Sequence, residues 1–206
     1  MAAVPRVRPV PFWFLRHGET DWNAQGLSQG STDIPLNAAG LAQAERAART
    51  LRGRGIASIV SSPLSRAKAT AETVAAALRL PVSFDEGLRE VNFGEQEGRP
   101  MGDWYDDWIA GAYTPERAEP FPALLASAVA AVNRALERPA PVLVVGHGAL
   151  FRALRLAFGL EPNVRTPNAL PVRCEPPAEG GDAWALTPAA LDAMLKGEDE
   201  GATGGE

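Results

Sequence analysis

Residues 12–23 read FWFLRHGETDWN: four large apolar side chains run straight into a cation, an imidazole, a glycine and a group of acid, hydroxyl and amide side chains. The run predicts a buried strand, and the polar groups that follow stand at its carboxyl end. In an open α/β sheet that is the edge where ligands bind. A second run, VLVVG at 142–146, is apolar at every position before its glycine, as a strand covered on both faces must be, and it too ends on a histidine, His147. These are the only two histidines in the chain.

Working outward, strands are predicted at 10–15, 56–61, 82–84 and 142–146, with helices between most of them. After Asn37, Leu41, Ala44, Ala48 and Leu51 recur at helical spacing, and Gly53 and Gly55 stop the pattern. A second helix is predicted with Pro63 in its first turn and a stripe of Ala67, Ala71, Val74 and Leu78. A third covers 121–137. Alternating strands and helices of this kind predict helices on both sides of a mostly parallel sheet. Residues 98–122 lack clear periodicity and carry Trp104, Tyr105, Trp108 and Tyr113 among Asp103, Asp106 and Asp107, which reads as an inserted cap. A short helix is expected from Pro188 to Lys196. The expected organisation is one domain over 1–196, with the Gly- and acid-rich residues 197–206 as a disordered tail.

Composition narrows the function. With 206 residues and 46% hydrophobic content the chain can bury one substantial core. Its net charge of -5 argues against nucleic acid, whose phosphates are held by clustered Lys and Arg. The single cysteine, Cys174, permits no internal disulfide. The opening segment, broken by Pro9 and Pro11, is too short to span a bilayer and is followed by no small-residue cleavage pattern. A cytoplasmic protein that binds neither nucleic acid nor membrane is therefore expected.

Four polar sets fall at or beyond strand ends: Arg16 with His17, Ser61 and Ser62 with Arg66, Glu90, and His147 with Gly148. Each alone has an ordinary structural reading. Together they contain a neutral imidazole able to act as nucleophile, two guanidiniums able to grip a dianion, and a carboxyl group able to pass a proton. Those are the parts of a phosphoryl-transfer site without metal.

The blocks LRHGETDWN (15–23), QGSTDIPLNAAG (29–40), SSPLSRAKAT (61–70), LREVNFGEQEG (88–98) and VVGHG (144–148) resemble, in order, the motifs of the histidine phosphatase superfamily in its phosphoglycerate mutase-like branch. The resemblance spans roughly residues 12 to 175. It implies a three-layer α/β/α fold and a phosphohistidine intermediate formed without cofactor or metal. By position, His17 is then the nucleophile, Arg16, Arg66 and His147 surround the phosphoryl group, and Glu90 is the proton donor. Asn23 matches a phosphate contact, and Gln29 with Gly30 a segment beside phosphate or substrate. Gly18 and Gly148 leave room for close backbone approach.

A metal-free phosphatase of small phosphate monoesters is the leading expectation. A mutase is the alternative, disfavoured because Glu90 to His147 holds only a short insertion and FGEQEG resembles the phosphatase form of its block. A catalytically silent binding or interaction domain would be expected to have lost one of the groups retained here. Metal-dependent hydrolysis through Asp103, Asp106 and Asp107 has little support, since three acids on a helix are usually a solvated face. Leu27 stands where many phosphatase members carry an arginine, which leaves open a pocket one cation poorer and a less highly charged substrate. The partner is a small phosphorylated metabolite such as a sugar phosphate, a phosphoglycerate or a nucleotide-like phosphate. A sheet edge or the cap could support a homodimer, though no pattern specifies one.

Overall fold

In the computed structural model, residues 4–179 and 181–189 are described. Strands β1 (Phe12–Arg16), β2 (Ser58–Ser61), β3 (Val82–Phe84), β4 (Val142–Gly146), β5 (Pro171–Glu175) and β6 (Ala185–Pro188) form one sheet in the order β3-β2-β4-β1-β5-β6. The first four in that order are mutually parallel, while β5 runs antiparallel to β1 and β6 antiparallel to β5. The four strands read from the sequence are all present, β1 and β2 within one or two residues of the expected limits. β5 and β6 are additions. Helices α1 (Asp21–Ala24), α2 (Ala38–Leu51), α3 (Ser65–Leu78), α4 (Trp104–Ala110), α5 (Phe121–Ala135) and α6 (Gly148–Ala157) complete the fold.

Alternation along β1 explains the three layers. Phe12 and Phe14 point to one face with Val60, Val142 and Val144, where buried residues of α5, α6 and α4 cover them. Trp13 and Leu15 point to the other with Ile59, Leu143 and Val145, against α2 and α3. Successive strand side chains face opposite ways, so a strand apolar at every position needs helices on both sides. Phe14 stacks on Phe151 of α6 with ring centres 4.1 Å apart.

The helices differ from expectation at several points: α5 ends at Ala135 rather than 137, and α1 and α6 are additions. Pro63 lies outside α3, whose N-cap is Leu64 in an extended conformation, because the Ser62 hydroxyl accepts the Leu64 N–H and holds the turn before the helix. The segment read as an aperiodic cap contains α4, a short helix in which Tyr105 and Trp108 are buried and Asp106 and Asp107 exposed. A helix of seven residues is too short to display a period. Its anchor is Trp108, fully buried, edge-on to Phe93 and Phe121 and donating Nε1–H to the Glu119 carbonyl at 2.9 Å. The helix expected over 188–196 lies outside the described residues beyond Ala189, where Ala185–Pro188 is already strand, and the expected tail at 197–206 lies wholly outside them.

The sheet places the site. From β1 the chain moves through α2 to β2, and from β4 it leaves through α6 toward β5 on the other side. Adjacent β1 and β4 therefore send their connections in opposite directions, which opens a crevice at their carboxyl ends. Because Trp108 joins the inserted segment to the main core, Trp108→Ala should lower unfolding free energy by about 3–5 kcal/mol. Denaturant titration followed by circular dichroism checks this, and a loss under 1 kcal/mol, or a separate early transition, would show that the segment packs independently.

Candidate active site

Arg16 pairs with Gly146 in the β1–β4 register, and the His17 N–H donates to the Gly146 carbonyl at 3.0 Å. The next residue on each strand is a histidine, so the two imidazoles meet, 5.2 Å apart between ring centres. Beside them opens a cavity of about 260 Å³ lined by Arg16, His17, Asn23, Gln29, Gly30, Arg66, Glu90 and Gly148 among others. Every residue singled out as catalytic or substrate-binding therefore lines this cavity except His147, which is fully buried just behind His17.

His17 is held in one orientation. Its Nδ1 is 2.7 Å from the Gly18 carbonyl oxygen, an acceptor only, so Nδ1 carries the proton and Nε2 keeps its lone pair. Thr70 fixes the Gly18 peptide in turn: its hydroxyl accepts the Gly18 N–H at 3.0 Å and donates to the Arg66 carbonyl at 2.7 Å. Gly18 must be glycine, since a Cβ there would collide with the backbone of Gly40 in the first turn of α2. At Gly148 the space is taken by the Arg16 guanidinium, which a Cβ would just touch at 3.4 Å.

The two inner guanidiniums are held by carbonyls. Arg16 Nη1 donates to Thr166 at 2.7 Å, and Arg66 donates through Nη1 to Thr32 and through Nη2 to Gly30. The loop offering those carbonyls is itself clamped by Glu97, whose carboxylate accepts from the backbone N–H groups of Ser31, Thr32 and Phe93. Gly30, at φ +55, has Glu97 where a Cβ would stand. Among the described residues, Arg16 Nε, Arg66 Nε and His147 Nδ1 are buried without a protein partner. Buried polar groups in native proteins are almost always satisfied, and such donors suit an anion with several oxygens. The other ring nitrogen of His147, Nε2, lies 2.7 Å from the Ser62 hydroxyl.

Charge and burial act together. The pKa of His17 is pushed well below the ordinary value by burial first, then by Arg66 and Arg16; burial and the same cations depress His147. Both imidazoles are neutral at neutral pH. Burial also lowers Arg16 to about 10, which leaves it protonated. Glu90 is raised by burial and opposed by the N–H groups of Ala149 and Leu150, 2.8 and 3.0 Å away at the start of α6, and by Arg66. The site can thus hold a dianion beside a neutral imidazole and a carboxyl group whose charge is contested by burial on one side and by two N–H groups and Arg66 on the other.

Leu27 lines the cavity as expected, yet the pocket is not poor in cations, because Arg152 and Arg165 line it as well. Neither was anticipated. Arg152 had a signal, being four residues beyond Gly148 and so on the same face of α6. Arg165 lies in a loop without a pattern, as does Asn168, whose Nδ2 donates to the His17 carbonyl and to Asn23 Oδ1. Of the cap aromatics, Tyr105 alone reaches the cavity; Trp104 and Trp108 pack with it around Phe93, and Tyr113 is exposed. Asp106 is engaged by Asn163, and among the described residues no group of three or more His, Cys, Asp or Glu side chains is arranged to hold a metal ion.

A doubly wound sheet with two imidazoles and several guanidiniums at its switch point defines the class: an α/β protein built to hold a phosphorylated ligand. Residues 12–169 match the histidine phosphatase superfamily (branch 1), and the chain belongs to that family. It is 40% identical over 141 residues to the uncharacterized phosphatase PhoE of Bacillus subtilis, covering 68% of this chain and 72% of that one. It is 38% identical over 164 residues to a probable phosphoglycerate mutase, GpmB, of Yersinia enterocolitica, covering 73% and 76%. Among solved structures it resembles a mycobacterial glucosyl-3-phosphoglycerate phosphatase in complex with VO3, at TM-score 0.74 and 28% identity over 85% of this chain and 96% of that one. A phosphoserine phosphatase from Entamoeba histolytica in complex with 3-phosphoglyceric acid superposes at TM-score 0.72 and 26% identity, covering 86% and 94%. Family and relatives together support phosphatase or mutase activity.

Thr70 gives this geometry a direct check. Thr70→Val keeps the shape of the side chain but leaves the buried Gly18 N–H without its acceptor, and it should lower unfolding free energy by about 1–3 kcal/mol. Chemical denaturation measures the change, and a loss below a few tenths would mean that the Gly18 peptide is held by something else.

Proposed function

We propose that the protein is a metal-independent phosphatase of small phosphate monoesters. In this reading Nε2 of His17 attacks phosphorus in line while the P–O bond to the leaving group breaks, and Glu90 gives its proton to the departing alkoxide. Water then attacks the phosphohistidine, Glu90 takes back a proton, the P–N bond breaks and inorganic phosphate leaves. Arg16, Arg66 and His147 carry the charge on the non-bridging oxygens, where fixed donors in a water-poor site act most strongly. Asn23, Gln29, Gly30 and Gly148 shape the ground around the phosphate. One observation carries the reading: the Nδ1–H of His17 is committed to the Gly18 carbonyl beside buried, unpartnered guanidinium nitrogens, which leaves Nε2 as the nucleophile.

The second reading, mutase activity, is favoured by the GpmB relative. Hydrolysis is preferred because the Glu90–His147 interval holds only α4 and α5 with their connections, and because both solved structures compared above are named phosphatases. One domain over residues 1–196, including the α4 insertion, is proposed as the functional unit, in the cytoplasm. The described residues contain no helix long and apolar enough to cross a membrane.

Aryl phosphate hydrolysis in excess chelator should persist in the wild type, fall by at least about a thousandfold in His17→Ala, and fall by about a hundredfold or more in Glu90→Gln, in keeping with the effects of removing a nucleophile and a general acid. Acid quenching during turnover should trap an acid-labile phosphoryl group that His17→Ala does not form. Loss of activity on chelation, or an active His17→Ala, would refute the mechanism. Conversion of 3- to 2-phosphoglycerate without release of phosphate would select the mutase instead.

The pH profile follows from the directions of the shifts. The reactive form of His17 is unprotonated, and its depressed pKa keeps that form present well below the ordinary imidazole value. The acid limb of kcat/KM, with substrate ionisation divided out, should therefore lie below pH 6.5. A limb at or above that value would contradict a nucleophile held neutral by burial and its two arginines.

A further inference from the structure

Of the polar residues at the strand ends, Ser61 and Ser62 have no part in the mechanism above. Both are fully buried, where a hydroxyl must find its partners within the protein. Ser61 meets that need locally: its hydroxyl donates to the Ser62 carbonyl at 2.9 Å. Ser62 stands one residue past β2, and its N–H donates to the Val145 carbonyl at 3.0 Å, as the His17 N–H does to Gly146 on the other side of β4. The adjacent parallel strands β2, β4 and β1 are thus followed by Ser62, His147 and His17 in a row. Within that row Oγ of Ser62 lies 2.7 Å from Nε2 of His147.

The contact has a direction. A hydroxyl has one proton to give and two lone pairs, and one lone pair of Ser62 takes the Leu64 N–H at 3.3 Å. Suppose Nε2 of His147 carried the imidazole proton and donated to Ser62. The hydroxyl proton would then lack an acceptor, and Nδ1 would be a buried lone pair without a donor, since Arg16 Nε and Arg66 Nε make no bond to it. Two buried groups would be orphaned. If Ser62 donates instead, its hydroxyl is satisfied and the single proton of the neutral ring sits on Nδ1, so one orphan remains. That orphan is an N–H, which an anion completes. Unpaired buried polar groups are costly, so the second arrangement is favoured.

We propose that Ser62 is a positioning residue: by donating its hydroxyl proton to Nε2 it locks His147 in the Nδ1–H tautomer, so that an uncharged imidazole presents a hydrogen-bond donor to the phosphoryl oxygens. The Gly18 carbonyl does the complementary work on His17, 5.2 Å away between ring centres. Both rings reach the same tautomer by opposite means, one keeping a free lone pair on Nε2 and the other a free N–H on Nδ1. Ser62 touches no substrate and acts through His147. The role rests on the proposed phosphoryl position for what the N–H meets, whereas the tautomer is independent of any reaction.

Because the chain has only two histidines, nitrogen NMR of the full-length protein carrying isotope-labelled histidine reads each ring directly, with His17→Ala to assign the signals. At neutral pH the wild type should show both rings protonated on Nδ1. In Ser62→Ala the His147 proton should move to Nε2 while His17 is unchanged, and Ser62→Thr, which keeps the hydroxyl, should retain Nδ1–H. Saturating inorganic phosphate should shift the wild-type His147 Nδ1–H. Its dissociation constant, measured by calorimetry, should rise about three- to tenfold in Ser62→Ala, the worth of one hydrogen bond, and less than about twofold in Ser62→Thr. A wild-type His147 protonated on Nε2 would overturn the proposal whether or not the variants fold. So would a tautomer unchanged in Ser62→Ala, or an Nδ1–H that phosphate leaves undisturbed. If hydrolysis of aryl phosphates is absent while these signatures hold, the phosphatase reading fails and the role of Ser62 stands.

Discussion

The parallel pairing of β1 with β4 is the constraint from which the rest of the site follows. Its register sets Arg16 opposite Gly146, and the bond from the His17 N–H to the Gly146 carbonyl extends the ladder one residue past the strand. Slipping a strand by one residue would turn every side chain to the opposite face. Phe14 would then leave Phe151, and Leu15 would leave the α2–α3 side of the core. The apolar alternation that defines both layers therefore also fixes where the two imidazoles project, so core packing and site geometry are one requirement.

Holding charge in such a place works against stability. Arg66 is fully buried, among the described residues no carboxylate forms a salt bridge to it, and its compensation is two loop carbonyls and more distant acids. Buried ions without a tight counter-ion are costly, and the loop that supplies those carbonyls must itself be held. Glu97 does this by gathering three backbone N–H groups, Ser31, Thr32 and Phe93, into one carboxylate. A side-chain-to-backbone network beside the site is thus spent on keeping a cation where a ligand can reach it, through a residue that is not itself among those lining the cavity.

How much of this was legible depended on the kind of signal. β1 and β4 announced themselves because strands covered on both faces are apolar at every position, and the histidines could be placed because they ended those strands. β5 was not found: Pro171, Arg173 and Glu175 break its apolar pattern, and its identity as a strand comes from pairing with β1 rather than from its own residues. α4 escaped because seven residues cannot show a period. In the site, residues bonded through side chains at strand ends were readable, whereas Arg165, Thr166 and Asn168 act from a loop whose path is set by tertiary contacts with Arg16 and His17. Their types carry no periodic information, so only the folded chain brings them to the cavity.

Glu90 shows how the two layers of the argument meet. A carboxyl group that must give a proton and then take one works best when neither form is strongly preferred. Burial alone would fix it as the acid, and a helix N-terminus alone would fix it as the carboxylate. Here the same carboxyl is largely withdrawn from water and accepts the Ala149 and Leu150 N–H groups at the first turn of α6, with Arg66 adding to the second effect. Burial prevails, but against real opposition. Since α6 begins immediately after His147, the element that brings the second imidazole to the first also sets the charge balance at Glu90, the group proposed as proton donor. In the proposed mechanism, any change that shifts the start of α6 would therefore disturb the phosphate grip and the proton transfer together, a coupling that follows from the fold rather than from either residue alone.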